Sequence, residues 1–169
     1  MLKKRFVMLL LVIWLAGGGI GHNAWAALAE VSTAELIHQA SDVVRAEVVS
    51  ISSAWNEKRD FIFTTISLHI TEAYKGTISN ASSINVIIPG GEVDGIGLGV
   101  EHAPRFEKGE DVIVLLRETG EGTYAVVGWE MGKFNVRDGQ VIEKGVPIDQ
   151  FKEEIRRAAE DKTDVEGEK

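Results

Sequence analysis

His38, His69 and His102 are the histidines downstream of residue 26, and each is a residue type able to ligate zinc or move a proton. Their spacing supports neither role. No His-x-x-x-His or His-Glu-x-x-His pair occurs, which removes the usual helix-borne zinc motifs and leaves solvated or capping histidines as the plain reading. A Ser/His/Asp set assembles from distant positions, so counting leaves a hydrolase open. No Gly-x-Ser-x-Gly elbow is present to display a serine, however. Cysteine is absent from the chain. A thiol nucleophile, a zinc-thiolate site and a covalently attached haem are excluded with it.

The segment 86–116, "VIIPGGEVDGIGLGVEHAPRFEKGEDVIVLL", carries six glycines and two prolines between two apolar runs. A phosphate cradle does not fit. Gly-Lys-Ser/Thr is missing, Gly95, Gly97 and Gly99 do not match Gly-x-Gly-x-x-Gly, and no helix pattern follows to receive an anion. Calcium fits slightly better, because Glu92, Asp94 and Glu101 are oxygen ligands on pliable backbone, but the EF-hand spacing is absent. No catalytic residue, metal ligand or cofactor is therefore assigned.

Two readings of the loop stay open. Gly95, Gly97 and Gly99 alternate with Ile96, Leu98 and Val100, giving one bulky face and one bare face against which another backbone could lie. In the first reading the bare face is a tight barrel wall that relieves crowding under Trp129 or Phe134. In the second, "PGGEVDG" protrudes as a docking rim, with Gly90, Gly91, Glu92, Asp94 and Arg105 as partner-binding residues. Trp55 would be a second anchor, as tryptophan often is at interfaces, or would simply cover the barrel mouth.

The elements that must position these residues are mostly strands. "SDVVRAEVVSISSAW" and "FIFTTISLHITEAYKG" alternate with period two, and the β-branched and aromatic content of the second favours strand. Val48 and Val49, followed by Ile51, break the first alternation, which predicts a bulge and a bend. "SSINVIIP" and "EDVIVLLRE" read as further strands, and "TYAVVGW" with "GKFNVRD" as a late hairpin. Ser32 with Glu35 forms a capping box before a short helix over 33–40, with Leu36, Ile37 and Ala40 inward. Ile148, Phe151, Ile155 and Ala158 or Ala159 form the stripe of an amphipathic C-terminal helix. A core of Val44, Val48, Ile66, Leu68, Ile70, Val86, Val112, Val114 and Phe134 follows. The expected fold is mainly β: a small closed or partly open OB-like antiparallel barrel with a helix at each end.

The N-terminus reads as an export signal. Lys3, Lys4 and Arg5 precede an apolar run from Phe6 to Ala16 and two Ala-x-Ala sites ending at Ala26 and Ala29. That is a basic, then apolar, then small-residue order, and the run is shorter than the roughly 17–25 residues of a spanning helix. Residues 1–26 are expected to be a signal peptide, 27–160 one barrel domain with terminal helices, and 161–169 a charged tail. The whole chain carries 18 basic and 26 acidic residues. The leader holds three of the basic ones, so the remainder balances 15 against 26, a net of −11. Such a surface repels phosphate backbones, which argues against nucleic acid and anionic lipid as partners and favours solubility or a basic partner.

The order "SDVVRAEVVSI", a long strand ending in "EAYKG", a glycine-rich loop, "GEDVIVLL" and a short hairpin resembles the netrin-like module over roughly residues 41–137. That module is the OB-fold barrel of tissue inhibitors of metalloproteinases, and the string also resembles exported bacterial proteins. The resemblance implies the fold. It does not carry over the inhibitors' chemistry, in which an N-terminal cysteine chelates the protease zinc, because this chain has no cysteine.

The expectation is an exported, monomeric, non-enzymatic module, periplasmic or extracellular, that docks through barrel-rim loops on an exported or envelope protein, a peptidase among the options. A calcium-binding or hydrolase-accessory protein is the alternative, and a structural subunit of an extracellular assembly the third reading.

Overall fold

The computed structural model describes residues 31–120 and 122–160. The expected leader and charged tail lie outside them. Helix α1 (Thr33–Gln39) starts where the sequence places it, with the Ser32 hydroxyl accepting the Glu35 amide at 3.1 Å. Strand β1 (Asp42–Trp55) then pairs with β2 (Ile62–Lys75), and β2 with β3 (Ser83–Pro89), all antiparallel. The β1–β2 register shifts between Val48 and Ser50, at the expected bulge.

Two short strands, β4 (Gly91–Val93) and β5 (Ile96–Leu98), form a separate hairpin. Strands β6 (Asp111–Gly120), β7 (Thr123–Val126) and β8 (Lys133–Arg137) follow. Two short strands, β9 (Gln140–Val141) and β10 (Val146–Pro147), lead into helix α2 (Ile148–Glu160). The pairings run β1–β2–β3–β7–β6 and return to β1, a five-stranded OB-like ring, with β8, β9 and β10 extending from β6.

One pairing departs from the antiparallel expectation. Strands β3 and β7 run parallel, through Asn85 opposite Thr123 and Val86 opposite Tyr124. Five is odd, so strands alternating in direction around a closed ring must meet one neighbour in parallel. The late hairpin is also corrected. Strands β7 and β8 do not pair with each other but occupy successive stretches of the same edge of β6, at Leu116–Gly120 and Val112–Val114. A 3₁₀ turn, Trp129–Gly132, separates them.

Two apolar layers result. Val44, Val48, Ile66, Leu68, Ile70, Val86, Val112 and Val114 pack together. Phe134 belongs to the other cluster, with Leu36, Ile37, Ile113, Leu115, Phe151 and Ile155. Its ring meets Phe151 at 4.8 Å between centroids. The misplacement has a plain cause: β6 is buried on both faces, so Val112, Val114 and Leu116 serve one layer while Ile113 and Leu115 serve the other. A continuous apolar run is the signature of such a strand, and it does not tell which face a neighbour will join. Of the two alanines on the helix stripe, Ala158 is the buried one.

Candidate functional site

The glycine loop is a hairpin on a tightly built foot. Asp94 and Gly95 both take left-handed φ, 53° and 77°, the requirement of a two-residue I′ turn and the reason Asp-Gly suits it. At the foot, the Thr64 hydroxyl donates to the Gly90 carbonyl at 2.6 Å and lies 2.8 Å from the Ser53 hydroxyl. A Cβ on Gly91, at φ +135°, would collide with both hydroxyls.

The wall reading of the alternating glycines is corrected here. A Cβ on Gly95, Gly97 or Gly99 would meet nothing within 4 Å, so their bare face looks into open space and relieves no crowding. Neither Trp129 nor Phe134 lies against them: Trp129 is 51% exposed and Phe134 is in the helix-side layer. Glu92 and Asp94 are exposed at the hairpin tip. A cleft of about 370 Å³ beside the foot is lined by Gly90, Gly91, Leu98 and Arg105 among others. Trp55, Glu92 and Asp94 do not line it. Trp55 ends β1 opposite Ile62, half-buried. The six candidate residues therefore do not converge on one spot. Among the described residues, no group of three or more His, Asp or Glu is placed to hold a metal ion, so Glu92, Asp94 and Glu101 are not brought together as ligands.

The more organised surface lies on the 3₁₀ turn, in "GWEMG". Gly128 is left-handed, at φ 73°, and a Cβ there would stand 2.6 Å from the Leu36 side chain. A Cβ on Gly132 would run into the Val127 carbonyl. Two glycines that admit no side chain thus pin both ends of the turn against the core. Between them Trp129 and Met131 are turned outward, 51% and 53% exposed. Trp129 itself sits at φ 57°, an uncommon conformation for a bulky residue, of the kind that costs about 1–3 kcal/mol and is kept where its surroundings enforce it.

The loop carrying Glu101 and His102 docks on this turn. The Glu130 amide donates to the His102 carbonyl at 3.0 Å. His102 Nδ1 lies 2.8 Å from a Glu130 carboxylate oxygen, and its Nε2 lies 3.5 Å from Glu101. The hydrogen bond to Glu130, reinforced by its charge and that of Glu101, raises the imidazole above its ordinary range and favours the charged form. A cleft of about 560 Å³ is lined by Glu101, His102, Gly128, Trp129, Glu130 and Met131. Trp129 also borders a smaller apolar cleft with Ile87, Pro89, Pro104, Arg117 and Val126.

Other titratable groups are tied into structure. Arg45 grips Asp111 with two donors at 2.9 and 2.6 Å. Lys152 reaches Glu72 at 2.8 Å, and the Tyr74 hydroxyl donates to the same carboxylate at 3.1 Å. Burial, with Glu72 beside it, pushes the Tyr74 hydroxyl well above its ordinary range.

The "SD…YKG" pieces of the resemblance are structural too. The buried Asp42 carboxylate accepts the Thr77 and Ile78 amides at 2.7 and 3.1 Å. A Cβ on Gly76 would fall onto that carboxylate. Lys75 donates to the carbonyls of Ile37 and Ala40, both at 2.7 Å, closing the end of α1, as a cation at a helix C-terminus does.

No family model matches the chain, and a search of curated proteins finds no match. Among the described residues no helix is long and apolar enough to cross a membrane.

Sequence reading singled out the hairpin and passed over the Trp129 turn. The signal was present, since a tryptophan and a methionine between two glycines can be read as a displayed turn. Which glycine faced a neighbour was not readable.

Proposed function

We propose that this chain is an exported, non-enzymatic binding module that docks on another protein through loops at the rim of its OB-like ring. The observation that carries the reading is the Trp129 turn. An aromatic and a methionine stand exposed on a turn whose two flanking glycines lie so close to Leu36 and Val127 that a Cβ at either would clash. Exposed aromatic and thioether side chains of this kind are the types that come to dominate an interface. The β4–β5 hairpin, with Glu92 and Asp94 at its tip, supplies a second, polar contact.

The non-enzymatic part rests on pairing. Arg45 with Asp111, and Lys152 and Tyr74 with Glu72, are taken up in ion pairs and hydrogen bonds. Export rests on the leader pattern, and the partner would then be an exported or envelope protein, a peptidase among the options.

Site-directed photo-crosslinking tests the reading. A crosslinking residue at Met131, in chain expressed in its native host, is expected to give a discrete adduct that is lost in Trp129→Ala. The same probe at Gln150 on α2 should give none. Equal labelling from both positions would refute docking through this rim.

A further inference from the structure

We infer that the cleft beside Trp129 receives a basic side chain, arginine or lysine, projecting from a polypeptide partner. This rests on the docking reading above and names the chemistry that the rim recognises.

Three observations point the same way. First, the indole of Trp129 is half exposed on a pinned turn, and tryptophan is the side chain whose face attracts cations best. Second, Glu130 and Glu101 reach the same cleft from two separate segments, and both are exposed. A cation resting on the indole would find carboxylates at its edge, the combination that holds a guanidinium or an ammonium. Third, the chain already places a stand-in there. The His102 ring, planar and bearing two nitrogens, spans Glu130 at 2.8 Å and Glu101 at 3.5 Å. That bridge shows that the two carboxylates lie close enough together to be shared by one planar cation.

Charge complementarity selects the occupant. The chain carries a net of −8, and such a field draws cationic partners and repels acidic ones. The apolar bodies of Trp129 and Met131 suit the aliphatic stem of a long basic side chain, which buries its methylenes while the head stays near water.

His102 makes the site sensitive to pH. The charged groups facing it are Glu101 on its own loop and Glu130 on the 3₁₀ turn. While the imidazole is protonated it offsets one of the two carboxylate charges that the incoming cation needs. Raising the pH through the His102 titration therefore strengthens binding of a basic segment.

The test titrates the full chain, followed by NMR of the Trp129 indole and the Met131 methyl, with the peptide acetyl-Gly-Arg-Gly-Arg-Gly-amide. Its glutamate counterpart is the control. The arginine peptide is expected to move both signals and the glutamate peptide neither. Glu101→Gln with Glu130→Gln should weaken the arginine peptide about tenfold, the combined effect of two exposed charge contacts. Glu57→Gln with Glu118→Gln, an equal change in net charge elsewhere, should stay within about twofold. Affinity should rise with pH in the parent and much less in His102→Gln. The inference is overturned if the charge-matched control weakens binding as much as the site pair does, or if affinity falls as the pH rises. If the peptide fails while the Met131 crosslink to a protein persists, the cation inference is wrong and the docking reading stands. Loss of that crosslink's dependence on Trp129 would instead remove the docking reading.

Discussion

Replacing Gly91 and Gly97 separately by alanine tests how the glycine-rich segment is built. At Gly91 the new Cβ would occupy space held by the Thr64 and Ser53 hydroxyls, and the backbone stands at φ +135°. Adopting that φ with a side chain costs about 1–3 kcal/mol. Moving the hydroxyls endangers the Thr64 bond to Gly90, at 2.6 Å, and the 2.8 Å bond to Ser53. Each such bond contributes about 0.5–1.5 kcal/mol net. Together these give a loss of about 2–6 kcal/mol for Gly91→Ala. Gly97 meets nothing within 4 Å and carries no left-handed φ. Gly97→Ala should therefore be neutral or gain about 0.4–1 kcal/mol through the unfolded chain. Urea melts with a common m-value separate the two cases. A loss below about 1 kcal/mol at Gly91, or an equal loss at Gly97, would refute the assignment of tight foot and open strand.

Leu68→Ala, at a fully buried site in the ring interior, is expected to cost about 2–5 kcal/mol in the same melts. Glu92→Ala with Asp94→Ala, at the exposed hairpin tip, should leave stability within about 1 kcal/mol. His102 should titrate above the ordinary value of about 6.5 in NMR, and Glu130→Gln should return it towards that value. Because its folded pKa is raised, any stability it contributes is present below the unfolded value and lost as pH rises through the folded one. A midpoint at or below the ordinary value would contradict the His102–Glu130 pairing. Mass spectrometry of the exported protein is expected to show a start at Ala27 or Glu30, and retention of residues 1–26 would overturn the leader assignment.

Periodicity made β1, β2, β3 and β6 legible, because alternation along a strand is local and β2 alternates over its buried half. The bulge after Val48 was legible for the same reason, since two adjacent valines cannot both face one side. The caps of α1 and the stripe of α2 are likewise written in neighbouring residues. The Asp94-Gly95 turn of the β4–β5 hairpin was passed over, and the alternation of glycine and aliphatic residues beside it allowed either a packed wall or a docking rim. Alternation says that two faces differ. It does not say what, if anything, lies against the bare one.

The sequence by itself determined the strands β1, β2, β3, β6, β7 and β8 and the helices α1 and α2, though not the short β4, β9 and β10, and that the chain has no cysteine and no clustered-histidine motif. Only the tertiary structure decided that β3 and β7 meet in parallel, that Phe134 joins the helix-side layer, and that Trp129 faces outward. It also decided that Gly76, Gly91, Gly128 and Gly132 are the glycines with no room, while Gly95, Gly97 and Gly99 have room to spare. The physical reason is range. Periodicity, capping and turn chemistry act over a few residues, whereas the space beside a glycine or an indole is filled by atoms from strands far away along the chain.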